Sequence, residues 1–276
     1  MSGELDSGVA KASLAAAQQV LDRQLAAEGA DAGKTGEDLF AVTSLLDSSV
    51  GLRRALTDPS REGSAKADFV RRTLSGRITP AALETVVVLA SARWSAGRDL
   101  SDATERLAVV AVVTQAEKSG HLDALEDELF RFSRTIAGNA ALRDALADRT
   151  APDANRASLV SRLLLDKASP ETVQLARRVA TASRGLRAEA LLEQWVDVVA
   201  KRREQLVAHV VSAVPLSETQ RERLAASLSR QYGRAIRINV DVDPHLVGGL
   251  RVSVGDDVID GSISTRLDEA RRRLAG

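Results

Sequence analysis

The 276 residues predict a mainly α protein with a small α/β C-terminal domain: a duplicated helical bundle followed by a β-α-β-β-α-like region. Three observations lead there. Hydrophobic residues make up 44% of the chain but aromatics only 3%, so the core is built from aliphatic and small side chains, which suit close helix packing. Apolar residues recur every three or four positions over roughly the first 205 residues, the stripe of amphipathic helices. After about Leu206 the period falls to two, as in half-buried strands.

The first helix runs from about Ser7 to Glu28 and carries Ala10, Leu14, Ala17, Leu21 and Leu25 on one face. Thr35, three residues before Asp38, reads as the start of the next, which continues through Leu39, Val42, Leu45 and Leu46. Thr79 before Pro80 is a favoured cap and first-turn pair, opening a helix that carries Leu83, Val86, Val87, Ala90 and Trp94. Trp94 and Trp195 fall in the late helices of the two units and read as core residues.

This array is written twice. Gly51-Leu-Arg-Arg-Ala-Leu-Thr-Asp58 matches Ala141-Leu-Arg-Asp-Ala-Leu-Ala-Asp148, Leu39-Phe40 matches Leu129-Phe130, and Thr79-Pro80 matches Ser169-Pro170, all at one offset of 90 residues. A constant offset across several helices means equal loops as well as similar faces, which is the mark of an internal duplication. The expected division is a first bundle over 1–119, a second over 98–205 and a small domain over 206–276, with the segment from Arg98 to Ser119 shared between the bundles. Leu107, Val109, Val110, Val112 and Val113 spread around that segment, as in a helix enclosed on several sides. The duplication also predicts that Phe40 and Phe130, Leu52 and Leu142, Leu56 and Leu146, Val70 and Val160, and Leu74 and Leu164 are equivalent and buried.

In the last seventy residues, Leu206, Val207, Val210 and Val211 form a short strand ending at Pro215, and Leu216-Ser217 opens a helix to Tyr232. Ile236 to Val242 and Leu250 to Val254 alternate as strands with Gly248-Gly249 as the turn between them. Gly255-Asp256-Asp257 makes a second turn, Val258 and Ile259 a last strand, and Ile263 to Leu274 a terminal helix.

Val242-Asp243-Pro244, Leu246-Val247-Gly248-Gly249-Leu250, Val254-Gly255-Asp256 and Val258-Ile259-Asp260-Gly261-Ser262-Ile263 resemble the C-terminal signature of ATP synthase delta subunits, the family that includes the oligomycin-sensitivity-conferring protein. Ser212-Ala213-Val214-Pro215-Leu216 resembles that family's interdomain junction, and the region from Gly120 to Arg143 its six-helix domain. The duplicated first hundred residues resemble the extended actinobacterial form. The resemblance implies a non-catalytic stator subunit at the cytoplasmic face of the bacterial plasma membrane. Its helical part would bind the N-terminal helices of the alpha subunits, and its C-terminal part the peripheral-stalk b subunits. The signature residues Asp243, Pro244, Gly248, Gly249, Gly255, Asp256, Asp260, Gly261 and Ser262 read as structural: turn formers, and a cap for the terminal helix. Partner-contact residues stay unassigned, because an exposed groove and a core face share one periodicity.

Other chemistries find little footing. Thirty-eight basic residues balance thirty-eight acidic ones, so there is no field to gather nucleic acid or an anionic membrane. No run of about 18 apolar residues is long enough for membrane insertion. Cysteine is absent, which removes disulfides, thiolate metal sites and a cysteine nucleophile. His121, His209 and His245 lack metal-site spacing, and no nucleophile-elbow pattern marks a catalytic serine, so no catalytic residue, metal or cofactor is expected. Asp256, Asp257 and Asp260 read as turn residues rather than an acid/base cluster, and Arg271-Arg272-Arg273 as a solvated face favoured by the helix dipole, with a basic handle for the stalk as the alternative. Gly29-Ala-Asp-Ala-Gly33-Lys34-Thr35 has one residue too few between its glycines for a phosphate loop and follows a helix instead of a strand. Two alternatives remain: a helical-repeat adaptor of an unrelated complex, and a nucleotide hydrolase built on Gly33-Lys34-Thr35.

Overall fold

The structure is a computed structural model that describes residues 8–182, 184–204, 207–232, 236–243, 246, 248–255 and 257–260. Helix α1 spans Gly8–Leu25 and buries the predicted stripe of Ala10, Leu14, Ala17, Leu21 and Leu25. Helix α2, Ala32–Ser48, starts earlier than expected, because Asp31 is its cap and accepts the Lys34 amide at 2.8 Å. Thr35 is therefore not a helix start: its hydroxyl donates to the Asp31 carbonyl at 2.7 Å. Helices α3 (Val50–Thr57), α4 (Gly63–Leu74) and α5 (Pro80–Ser91) follow. Thr79 caps α5 as its sequence predicts, accepting the Ala82 amide. Trp94 lies beyond the end of α5, in a loop, where it is buried and its indole donates to the Leu89 carbonyl at 2.8 Å.

Helix α6, Gly97–Lys118, is buried at every position from Leu107 to Thr114. It packs against α1, α2, α3 and α5, and also against α7 (Leu122–Gly138) and α10 (Pro170–Thr181). The approach of α2 to α6 is close because Gly36 has no side chain: a Cβ there would lie 2.6 Å from Val112 Cγ2 and 3.2 Å from the Ala108 carbonyl oxygen. Helices α8 (Ala140–Ala147), α9 (Asp153–Leu164) and α11 (Ala188–Glu204) complete the helical part.

The duplication is visible helix by helix. Helices α2 and α7 have 17 residues each, α3 and α8 have 8, and α4 and α9, like α5 and α10, have 12. Each later helix starts 90 residues after its counterpart. Local bonds repeat too. Ser49 and Asn139 accept the amides of Leu52 and Leu142, and Asp58 and Asp148 accept those of Ser60 and Thr150. Arg53 and Arg143 donate to the carbonyls of Asp47 and Ala137. A carboxylate on the second helix accepts the amide of the α5 or α10 cap in each copy: Asp38 from Thr79 at 2.7 Å, Glu128 from Ser169 at 2.9 Å. Even the left-handed backbone position recurs, at Gly76 (φ 73°) and Asp166 (φ 57°).

Burial corrects part of the prediction. Leu56, Leu146, Val70 and Val160 are buried, but Leu52, Leu142, Leu74 and Leu164 are only half-buried, because these short outer helices have a neighbour on one side. Phe40 is 7% exposed and Phe130 54%. Equivalent helical phase does not give equal burial when only one copy has something packed outside it.

The chain divides into two compact units, 1–199 and 200–276, with the division inside α11. The second unit contains β1 (Val207–Ser212), α12 (Glu218–Tyr232), β2 (Arg237–Val242), β3 (Leu250–Val254) and β4 (Asp257–Asp260). The sheet order is β2-β1-β3-β4, with β1 parallel to β2 and the other pairs antiparallel. Val210 stands opposite Val240 on one side and Val252 on the other, and its core neighbours are Ala208, Leu228, Ile236 and Val254. Because β1 lies between β2 and β3, the Gly248-Gly249 turn stands between two strands that are not neighbours in the sheet. The expected terminal helix over 263–274 lies outside the described residues.

Candidate functional site

The densest polar cluster of the first unit sits where α10 and the loop after it meet α2 and α6. The Arg178 guanidinium lies 4.9 Å from the centroid of the Phe40 ring, and Trp195 of α11 packs on the same ring at 6.1 Å between centroids. Arg178 also donates to the Ser44 hydroxyl at 2.7 Å and pairs with Glu105 at 3.4 Å. Arg184, in a left-handed conformation (φ 52°), reaches Asp47 and Asp102 at 2.7 Å and Glu105 at 3.2 Å. Burial raises the carboxyls of Asp102 and Glu105 above their ordinary values, although both arginines pull the other way. Burial alone would lower Arg184, but Glu105, Asp102 and Asp47 together hold it above its usual value. Arg178, with fewer carboxylates against it, is lowered by burial.

An open cleft of about 610 Å³ borders this cluster, lined by Ser44, Asp47, Arg53, Arg98, Asp153, Arg178 and Arg184 among others. Arg178 and Arg184 are matched by Asp47, Asp102 and Glu105, Arg98 lies 3.8 Å from Asp102, and Arg53 donates to main-chain carbonyls at the end of α2. A compensated cluster of this kind holds elements together and leaves little net charge to gather an ionic ligand. Sequence reasoning missed it, since its members are spread from Asp47 to Arg184 and share no local spacing.

The predicted signature residues fall in the second unit. The Asp243 amide donates to the Ser212 carbonyl at 2.9 Å, closing the exit from β2. Gly248, Gly249 and Gly255 have φ of 140°, 88° and 55°, where side chains are strained. Asp260 belongs to β4 and its carboxylate lies 3.2 Å from the Arg251 guanidinium across the ladder. Pro244, Asp256, Gly261 and Ser262, with His245, Leu206, Ser7 and Arg271 to Arg273, lie outside the described residues. His121 pairs with Glu171 at 3.1 Å, and His209 is exposed on β1. Gly33, Lys34 and Thr35 form the first turn of α2, with Lys34 paired to Glu37 and Asp38. Among the described residues no group of three or more His, Asp or Glu side chains is placed to hold a metal, and no helix is long and apolar enough to cross a membrane.

Several large apolar side chains remain on the surface. Leu45, Val50, Phe69, Phe130 and Leu165 are exposed on the helices, and Val242, Val258 and Ile259 on the outer strands β2 and β4. Scattered apolar side chains of this kind are ordinary. The fold and its surfaces define a protein of helical repeats joined to a small sheet domain.

Residues 109–274 match the family model for the ATP synthase delta (OSCP) subunit. The chain is 89% identical over 276 residues to ATP synthase subunit delta of Kineococcus radiotolerans, covering all of both chains. It is 47% identical over 268 residues to that of Streptomyces coelicolor, covering 97% of this chain and 98% of the other. It is 43% identical over 258 residues to that of Nocardia farcinica, covering 94% and 96%. A chain of the Toxoplasma gondii mitochondrial ATP synthase hexamer is similar over 61% of this chain and 95% of its own, at 20% identity and a TM-score of 0.31. The chain belongs to the ATP synthase delta (OSCP) subunit family.

Proposed function

We propose that this protein is a non-catalytic stator subunit of a rotary proton-translocating ATP synthase, linking the alpha subunits of the catalytic head to the b subunits of the peripheral stalk. The observation that carries the reading is the family match over 109–274, which runs through the second helical copy and the sheet domain together. The helical region is taken as two bundles, 1–119 and 98–205, sharing α6, and residues 206–276 as the stalk-facing domain. The alpha N-terminal helices are assigned to the helical bundles, where apolar side chains at i, i+3, i+4 and i+7 can be laid into a groove. The signature residues serve the turns and strands of the sheet domain. As a member of that complex, the subunit is assigned to the cytoplasmic face of the plasma membrane.

A stator must resist torque without slipping. Several tethered helix contacts dissociate far more slowly than one, and a repeat array locked by buried charge pairs bends little between them. The test is a chain ended at Val214. It is expected to keep its helical content and its binding to the alpha subunits while binding the b subunits at least about tenfold more weakly. Full retention of b-subunit affinity refutes the assignment.

A further inference from the structure

The two copies differ in how they neutralise a buried cation at the start of their fourth helix. Lys66, in the first turn of α4, is 5% exposed and donates one ammonium hydrogen to the Ala92 carbonyl at 3.1 Å. Among the described residues no carboxylate is paired with it. A lysine carries three donors, so two are left over, and an ammonium buried without a counter-charge is costly. Burial pushes Lys66 below its ordinary value, with Asp58 opposing the shift and Arg93 adding to it. In the second copy the equivalent residue is Arg156, also buried, which donates to the Asp148 carbonyl and pairs with the Asp153 carboxylate. The position equivalent to Asp153 is Gly63, where a Cβ would lie 2.7 Å from the Ser91 carbonyl oxygen. The first copy therefore has no room for the side chain that supplies the counter-charge in the second.

A cavity of about 190 Å³ opens at this place, with Ser60, Arg61, Glu62, Gly63, Lys66 and Arg93 in its wall among others. Arg61 and Arg93 are exposed, and Arg61 stands where the second copy has Ala151. Two carboxylates are close, and both have other partners. Asp58 accepts the Ser60 amide at 2.9 Å and its hydroxyl at 2.7 Å and pairs with Arg61 at 3.8 Å, while Glu62 accepts the Ser64 hydroxyl at 3.4 Å. Three cations against two carboxylates leave one positive charge in excess. Helix α4 adds to it: Glu62 makes no side-chain cap, and the positive end of the helix dipole reaches the wall at Gly63. We propose that this cavity binds a free oxyanion of the phosphate class, held by the Lys66 ammonium between Arg61 and Arg93, where it takes the part that Asp153 plays in the second copy. The cavity is smaller than the roughly 300–1,000 Å³ of pockets that enclose drug-sized ligands, so an ion fits and a nucleotide does not.

The site does not depend on the stator reading. The full chain is titrated with inorganic phosphate by calorimetry, with chloride holding the ionic strength constant. Saturable binding at one site is expected, together with a rise in the thermal midpoint that saturates over the same phosphate range. Lys66→Met is expected to abolish both. Because that change lies in the core, the double variant Arg61→Ala, Arg93→Ala carries the test independently. Its exposed side chains can be removed with the midpoint in chloride unchanged, and it is expected to bind phosphate about tenfold more weakly or worse. Phenyl phosphate, whose ring the cavity does not admit, is expected to bind more weakly than phosphate. No saturable binding to the unaltered chain, or equal binding by the double variant, overturns the proposal. Phenyl phosphate bound as tightly as phosphate overturns the assignment to a free ion.

Discussion

Gly36→Ala should destabilise the protein, although alanine is the better helix former. In an open helix the change removes backbone entropy from the unfolded chain and gains about 0.5–1 kcal/mol. At position 36 the new Cβ would meet Val112 Cγ2 at 2.6 Å and the Ala108 carbonyl oxygen at 3.2 Å. Ordinary carbon contact is about 3.5–4 Å, so α2 and α6 must part by roughly 1 Å or Val112 must leave its rotamer, and a β-branched side chain in a helix has no good second choice. Overpacking of this kind costs about 1–3 kcal/mol, and it falls on the helix that packs against both copies. The net expectation is a loss of about 1–2 kcal/mol, or a Tm lower by about 2–6 °C for a domain of this size. Gly51→Ala is the internal control: nothing lies within 4 Å of a Cβ there, so its stability should be unchanged or higher. Urea unfolding of both variants, followed by circular dichroism, measures the two signs. A Gly36→Ala protein as stable as the parent would refute the close-approach reasoning.

Arg184→Met should cost about 2–3 kcal/mol, because it leaves the buried carboxylate of Glu105 and the half-buried Asp102 undercompensated and frees the exposed Asp47. Asp102 and Glu105 have raised folded pKa values, so protonation favours the folded state; the deficit should shrink as pH falls through those values towards 3.8 and 4.5, as unfolding at several pH values will tell. Glu128 works in the opposite sense: burial pushes its carboxyl up, but bonds from Thr172 and Ser169 outweigh this and hold it below 4.5. Glu128→Gln should therefore cost about 1 kcal/mol near neutral pH, a difference present above pH 4.5 and lost as pH falls through the folded pKa, and a constant difference down to acid pH would contradict the role. Gly249→Ala, at φ 88°, should destabilise the second unit by about 1–2 kcal/mol, visible as earlier exchange of the β1 and β3 amides with the helical amides unaffected.

The sequence by itself determined the helices, the duplication and the mixed second unit, because these depend on local period and cap chemistry. Thr79-Pro80, Ser169-Pro170 and the 90-residue offset each translate directly into a helix start or a repeated loop. It also carried the family signature, since Gly248, Gly249 and Gly255 mark positive-φ turns that need glycine for backbone reasons alone. Local reading placed the α2 start a turn late, because Asp31 and Thr35 are both good caps and only the fold chooses between them. The order of the strands was out of reach as well: alternation reveals which face of β2 is apolar but not that β1, thirty residues earlier, is its neighbour. The charge cluster of Asp47, Asp102, Glu105, Arg178 and Arg184 exists only once α2, α6 and α10 have packed, and burial then makes charges that look solvated in sequence into a lock. Phe40 and Phe130 are the sharpest case. Each follows a leucine at the same helical phase, yet one is enclosed and the other is open, because exposure is set by what stands outside the helix and only the tertiary structure supplies that neighbour.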